Sequence, residues 1–136
     1  MKMGVGSKSG GKRLGAVSVL KRPLFTVVTA VFNGSERLES TILSVLSQKC
    51  DDVEHVIIDG GSTDGTIQTL RKYNNSVDYW LSEPDQGVYD AFNKACRLIR
   101  GRWTIFLGAG DQFYDANVLT SMSEVVQDVC LETEIV

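Results

Sequence analysis

From Pro23 onward, short apolar runs rich in β-formers alternate with stretches whose apolar residues recur at helical spacing, and this alternation leaves few folds open. Strand and helix in regular succession predict parallel βαβ units, an α/β fold in which helices flank a parallel, Rossmann-like sheet. The first run, Leu24 to Val31, is too continuously apolar for a half-exposed strand, so it is expected to be covered on both faces. A helix follows, with Asn33 as its predicted cap, Glu36 in the capping-box position, and Leu38, Ile42, Val45 and Leu46 as its inner stripe. The second strand is expected at Val53 to Asp59, a turn at Gly60 to Gly65, and a short helix at Thr66 to Tyr73. Val77 to Leu81 reads as the third strand, Ser82 to Gly87 as a loop, and Val88 to Arg100 as a third helix with Val88, Phe92, Ala95 and Ile99 inward. Gly101 stands where a left-handed C-cap residue would. Trp103 to Leu107 is the expected fourth strand, Gly108 to Tyr114 a loop, and Ala116 to Leu131 a fourth helix capped by Asp115.

A chain of 136 residues, 43% of them hydrophobic, suits one ordinary core, so a single folded domain over 23–136 is expected. No stretch approaches the roughly 18 apolar residues of a membrane span, and the start lacks the pattern of a secretory signal, which predicts a cytoplasmic protein. Cys50, Cys96 and Cys130 are odd in number and widely spaced, which fits neither a disulfide framework nor a zinc site. Reduced thiols are expected, with Cys96 in the core beside Phe92, Ala95 and Ile99. Residues 1–22 carry six basic side chains and no acid, leaving eight basic against seventeen acidic side chains in the remainder. An acidic body argues against nucleic acid as a partner, because neutralising phosphates needs basic surface. The Gly- and Ser-rich basic segment reads as a flexible, solvated tail, or as a peripheral contact with an anionic membrane surface.

Open parallel sheets bind ligands at the carboxyl ends of their strands. This sequence gathers its polar residues there: Ala30-Val31-Phe32-Asn33, Asp59-Gly60-Gly61-Ser62-Thr63-Asp64-Gly65, Glu83-Pro84-Asp85-Gln86-Gly87 and Gly108-Ala109-Gly110-Asp111. Carboxylates repel a phosphate but hold Mg²⁺ or Mn²⁺, which bridges phosphate oxygens, so the implied ligand is a nucleoside diphosphate with a divalent ion. Phe32-Asn33-Gly34-Ser35 is not the G-x-G-x-x-G of a dinucleotide fold, and Gly60 to Thr66 lacks the lysine of a P-loop. The one histidine, His55, lies inside a predicted strand rather than at its exit and is expected to be structural.

Taken together, Phe25 to Asn33, Ile57 to Thr66, Ser82 to Lys94 and Gly101 to Asp111 resemble family 2 glycosyltransferases of the GT-A fold, most of all bacterial members that build exopolysaccharide and O-antigen. The likeness spans about residues 23–120, in order and spacing. It implies that Ala30, Val31, Phe32 and Asp59 hold the base and ribose of a nucleotide such as uridine, with Ser62 in the same loop. It further implies that Asp85, Asp90, Asn93 and Lys94 face the sugar and phosphates, and that Asp111 is the last acid of the family's D-x-D metal signature. Ala109 and Gly110 stand where further acids often occur, which leaves more of the metal shell to diphosphate and water. Each position also has a plainer reading: Asp59, Ser62 and Asp64 as cap or turn residues, Asp90 with Lys94 as an i, i+4 ion pair, Asp111 as a turn residue, and Phe32 as core.

The activity so implied is metal-assisted, inverting transfer of a sugar from a nucleotide-diphosphate sugar, UDP-linked by expectation, to a glycan or lipid-linked acceptor. The resemblance implies a domain nearly twice this long, with the catalytic base after the fourth helix and beyond Val136. A strand is expected to begin near Ile135-Val136. Two other functions stay open: a non-catalytic remnant that binds nucleotide sugar, and a nucleotidyltransferase, against which the loop after the first strand speaks because it is not basic.

Overall fold

A computed structural model describes residues 6–15 and 22–133. The elements are β1 (Lys8–Gly10), α1 (Lys12–Gly15), β2 (Phe25–Val31), α2 (Ser35–Leu46), β3 (Val53–Asp59), α3 (Thr66–Lys72), β4 (Tyr79–Ser82), α4 (Val88–Cys96), β5 (Trp103–Phe106) and α5 (Val118–Thr133). One sheet runs β1-β4-β3-β2-β5, with β2 to β5 parallel and β1 antiparallel on the β4 edge. The expected strand-helix units are thus present on a sheet that is mixed by one strand.

The apolar runs of β2 and β3 are continuous because both sheet faces are covered. On one face Leu38 and Ile42 of α2 and Ile67 and Leu70 of α3 pack against Val31, Ile57 and Trp80. On the other, Ala91 and Ala95 of α4 lie on Val28, Val56, Ile58, Tyr79 and Leu81. The inward face of α4 keeps Ala95 of the expected stripe and adds Ala91, small residues that let the helix sit close to the sheet, while Val88 is half exposed and Cys96 is at the surface rather than in the core. Phe92 and Ile99 are only partly buried, and α4 ends at Cys96 rather than Arg100. Leu46, expected on the inner stripe of α2, is also exposed.

Three predicted caps are built differently. Asn33 has a φ of 48°, left-handed backbone that an N-cap residue does not adopt, and Gly34 takes the N-cap place without a side-chain bond. Gly101 is not left-handed; it is buried, and a Cβ there would stand 2.5 Å from the Thr26 nitrogen, so glycine is required by close approach to β2. At α5, Asp115 Oδ1 accepts a hydrogen bond from the Asn117 N–H, and Gln48 Oε1 accepts one from Leu119 N–H. Among the described residues no helix is long and apolar enough to cross a membrane. The expected strand near Ile135-Val136 and the side chain of Cys130 lie outside what is described, as do residues 1–5 and 16–21 of the expected tail.

The described part of that tail is not a free coil. Lys8, Ser9 and Gly10 pair with Ser82, Leu81 and Trp80. The glycines that read as flexible serve contact instead: a Cβ on Gly10 would meet the Trp80 ring nitrogen at 2.5 Å, and one on Gly11 the Asp78 carbonyl oxygen at 2.6 Å. Arg13 then reaches the amino ends of the strands. Its Nη2 lies 2.5 Å from Glu54 Oε1 and its Nη1 donates to the Leu98 carbonyl at 2.9 Å. Glu54 Oε2 accepts further bonds from the Thr26 hydroxyl at 2.6 Å and the Arg100 N–H at 2.8 Å. A buried carboxylate needs such partners because desolvation of an unpaired charge is expensive.

Nearby, His55 is buried with Nε2 at 2.8 Å from Thr29 Oγ1, and burial pushes its pKa down to about 3 from an ordinary 6.5. Below pH 6.5 the unfolded histidine takes a proton that the folded one refuses until about 3, so this contribution to stability is lost as pH falls through that window. We expect a slope of about 1.4 kcal/mol per pH unit from this group, and His55→Gln should remove that share of the acid sensitivity in urea titrations between about pH 7 and about pH 5. Arg13→Ala should lower stability by about 3 kcal/mol, since it leaves the buried Glu54 with two hydrogen bonds but no opposite charge. A loss below about 0.5 kcal/mol, the range of an ordinary surface substitution, would show that the arm does not hold the sheet.

Candidate functional site

The parallel strands stand in the order β4-β3-β2-β5, so the chain leaves β2 toward β3 on one side while β5 joins on the other. The carboxyl ends of β2 and β5 bracket the topological switch point, where such sheets open a crevice. Four loops surround it, 32–34, 60–65, 83–87 and 107–117.

The first two loops are stitched into one body. Asn33 N–H donates to Ser62 Oγ at 2.7 Å, and Thr63 N–H donates back to Asn33 Oδ1 at 2.9 Å. Asparagine tolerates the left-handed backbone at 33 better than most residues, and its amide oxygen makes use of it. Gly34 N–H donates to Thr66 Oγ1 at 3.2 Å. Asp64 serves two helices: Oδ1 accepts from the Thr66 N–H at 2.9 Å and the Thr66 hydroxyl at 2.5 Å, and Oδ2 from Ser35 N–H at 3.4 Å. The Thr66 hydroxyl is the main cause that holds the Asp64 carboxyl below its ordinary pKa.

Asp59 ends β3 fully buried. Its Oδ2 accepts from Ser82 Oγ at 2.7 Å, Ser62 N–H at 3.0 Å and Gly61 N–H at 3.3 Å, and its Oδ1 accepts from the Ser62 hydroxyl. Both Asp59 and Ser62 are engaged in the turn itself, and their bonds tie β3 to β4.

Beside this turn lies a cavity of about 330 Å³ lined by Ala30, Val31, Phe32, Gly60, Asp85 and Gly87, with Val88 and Ala91 of α4. Phe32 is 58% exposed, so it is not core, and its ring is free to meet a ligand. A Cβ on Gly60 would lie 2.8 to 2.9 Å from the Asp85 carboxylate oxygens, so the missing side chain at 60 makes room for the carboxylate at 85. Asp85 Oδ1 also accepts from Gly87 N–H at 3.0 Å. Asp90 Oδ2 accepts from Gln86 N–H at 3.0 Å, and Lys94 Nζ stands 3.2 Å from Glu83 Oε1 and 3.7 Å from Asp90 while donating to the Pro84 carbonyl at 2.9 Å. Lys94 and Asp90 thus brace the 83–87 loop. Asn93 is exposed and does not line the cavity.

Across the switch point, the 108–113 loop lies on α2. Gly110 N–H donates to Thr41 Oγ1 at 2.9 Å, the Thr41 hydroxyl donates to the Asp111 carbonyl at 2.8 Å, and Phe113 N–H donates to Ser44 Oγ at 2.8 Å. Asp111 is exposed, with Oδ2 accepting from Gly108 N–H at 3.2 Å. Among the described residues no three acidic, histidine or cysteine side chains converge on a point that could hold a metal ion. A single outward carboxylate still suits Mg²⁺ or Mn²⁺, which bind through one or two carboxylates, water and substrate phosphates.

Sequence reading missed three supports of this site. Thr41 carried a signal, being a polar residue on the buried stripe of α2 with Leu38, Ile42 and Val45. Ser7, whose hydroxyl donates to Glu83 at 2.5 Å, belonged to the expected tail, and Gly60 looked like any turn glycine.

Residues 26–130 match the family described as Glycosyl transferase family 2. The chain is 35% identical over 107 residues to a PGL/p-HBAD biosynthesis glycosyltransferase of Mycobacterium bovis, a match that covers 76% of this chain and 42% of that protein. Among solved structures it resembles a mannosyltransferase of Pyrobaculum calidifontis in complex with GDP-Man and Mn²⁺, with a TM-score of 0.69 and 23% identity over 77% of this chain and 32% of the other. It also resembles residues 1–349 of S. aureus TarS in complex with UDP-GlcNAc, with a TM-score of 0.70 and 21% identity over 76% of this chain and 31% of the other. The chain therefore spans about two fifths of the curated relative's length, and its fold is the GT-A type.

Because Asp59 is buried and bonded throughout, Asp59→Ala should lower stability by about 2–3 kcal/mol, leaving the Ser82 hydroxyl and Ser62 N–H without partners. Thermal unfolding measures it. A melting temperature equal to that of the unaltered chain would show the turn holds without the carboxylate.

Proposed function

The chain belongs to glycosyl transferase family 2, and on that premise we propose that the cavity at the carboxyl ends of β2, β3 and β4 receives the nucleoside of a nucleotide-diphosphate sugar, uridine by preference. The observation that carries this reading is the lining: an exposed aromatic ring at Phe32, apolar walls at Ala30, Val31 and Val88, and one carboxylate at Asp85. A nucleobase has flat apolar faces and a polar edge, and pockets with mostly apolar walls and few polar groups recognise such a shape. Asp85 accepts a hydrogen bond from a base N–H, while Asp59 supports the turn beneath it. This shifts the base contact from Asp59, where the resemblance would put it, to the carboxylate that reaches over Gly60.

The diphosphate then extends toward the switch point, where Asp111 is the residue that would hold Mg²⁺ or Mn²⁺. Such an ion, when bound, neutralises the phosphates and favours departure of the diphosphate. In the transfer, an acceptor hydroxyl attacks the anomeric carbon from the opposite face as the bond to the diphosphate breaks, with inversion, and the hydroxyl proton goes to a carboxylate base. We assign that base to a part of the enzyme outside residues 1–136, and the acceptor to a glycan or lipid-linked sugar. Within the cavity region Asp59 is engaged in the β3 turn and Asp90 in the 83–87 loop, which supports that assignment.

Calorimetry with UDP and GDP, each with Mn²⁺ and with EDTA, tests the reading. We expect binding to weaken by about tenfold or more in EDTA, Asp111→Ala to lose that metal dependence, and Asp85→Ala to weaken the nucleoside as well as the nucleotide, a tenfold change being about 1.4 kcal/mol. Equal affinity with and without metal would remove the ion from the site. No binding of either nucleotide under any condition would remove the donor.

A further inference from the structure

We propose that Arg37 is the residue that grips the diphosphate of the donor, an inference that rests on the donor reading of this crevice. Arg37 lies in the first turn of α2 and spans the gap between the loops after β2 and β5. A Cβ on Gly34 would meet Arg37 Nη2 at 3.2 Å and Nε at 3.4 Å, and a Cβ on Gly110 would lie 3.5 Å from Arg37 Cβ and Cδ. The stem of the arginine thus runs along Gly110 and its guanidinium folds against Gly34. Those two glycines belong to the two loops that bracket the switch point, and Gly110 is followed directly by Asp111. The arginine side chain thus packs against both glycines, closely at Gly34 and at ordinary contact distance at Gly110.

Charge gives the second argument. Beyond residue 22 the chain carries eight basic against seventeen acidic side chains, and the rim itself presents Asp85 and Asp111. Lys94, the other cation at these loops, is held by Glu83 and Asp90 and gives a hydrogen bond to the Pro84 carbonyl. Arg37 is exposed, and among the described residues no carboxylate forms an ion pair with it. It is the rim cation left for a ligand.

Chemistry gives the third. Asp111 is the one acid in residues 108–111 and would hold a metal ion without a second carboxylate from that loop, so a doubly charged diphosphate enters a rim that offers little else to bind its oxygens. A guanidinium is always charged, presents a planar fork of N–H donors that matches two phosphate oxygens, and is less tightly hydrated than an ammonium. Its place at the lip requires only that the head swing from Gly34 toward the ligand, and exposed side chains change rotamer readily.

The test titrates the unaltered chain, Arg37→Gln and Arg37→Lys with UDP, uridine, GDP and guanosine in Mn²⁺, at low and high salt. We expect Arg37→Gln to bind the preferred diphosphate at least about tenfold more weakly while its nucleoside binds as before, with Arg37→Lys between the two and a shallower salt dependence in the glutamine variant. Melting temperatures should be unchanged, as for a surface substitution. If Arg37→Gln keeps full affinity for a diphosphate that the unaltered chain binds, or loses nucleoside and diphosphate alike, the role of Arg37 is refuted while the donor site stands. If the unaltered chain binds no diphosphate, the donor reading falls and the inference with it.

Discussion

The geometry of the site depends on one buried carboxylate. Asp59 ends a strand whose side chains are covered on both faces, and its oxygens accept four hydrogen bonds, from two backbone N–H groups of the following turn, the Ser62 hydroxyl and the Ser82 hydroxyl of the next strand. A buried carboxylate in that place is tolerated because both oxygens accept hydrogen bonds, and the bonds in turn oblige the 60–65 turn to one shape. From that shape the rest follows. Ser62 and Thr63 are set where they meet Asn33, Asp64 is set where it caps α2 and α3 together, and Gly60 is set beneath Asp85.

A second constraint is close approach. Gly10 and Gly11 lie flat on Trp80 and Asp78, Gly101 on Thr26, and Gly60 under a carboxylate, so at these positions glycine marks a close approach rather than a loose chain. The arm formed by β1 and α1 shows the consequence. It closes the β4 edge, sends Arg13 to the buried Glu54 at one end of the sheet, and places Ser7 on Glu83 at the other, next to the loop that carries Asp85. An exposed strand edge invites pairing with other chains, and the arm replaces the β4 edge with a strand of only three residues, too short to template much pairing.

The candidate rim offers fewer carboxylates for direct contact than its composition suggests. Asp59 and Asp64 are consumed by the backbone they organise and Asp90 by Gln86 and Lys94, whereas Asp85 lines the cavity and Asp111 is exposed on its loop. A count of acids from the chain overstated the carboxylates open to direct contact with a ligand. It also hid Arg37, which lies in the middle of an ordinary helical pattern and becomes notable only beside Gly34 and Gly110.

By itself the sequence determined the succession of strands and helices, the burial of Leu24 to Val31 and Val53 to Asp59, and the gathering of polar loops at one end of the sheet. These follow from periodicity and from runs of β-branched residues, which act over a few neighbouring positions and need no knowledge of distant partners. The tertiary structure alone decided that a Gly-rich basic segment folds onto β4, that Asn33 joins a neighbouring loop instead of capping a helix, and that Asp85 rather than Asp59 reaches the cavity. The physical reason is the same in each case: a hydrogen bond, an ion pair or a close backbone contact across 20 or more residues is set by where the sheet brings two segments together. Nothing in either segment alone carries that information.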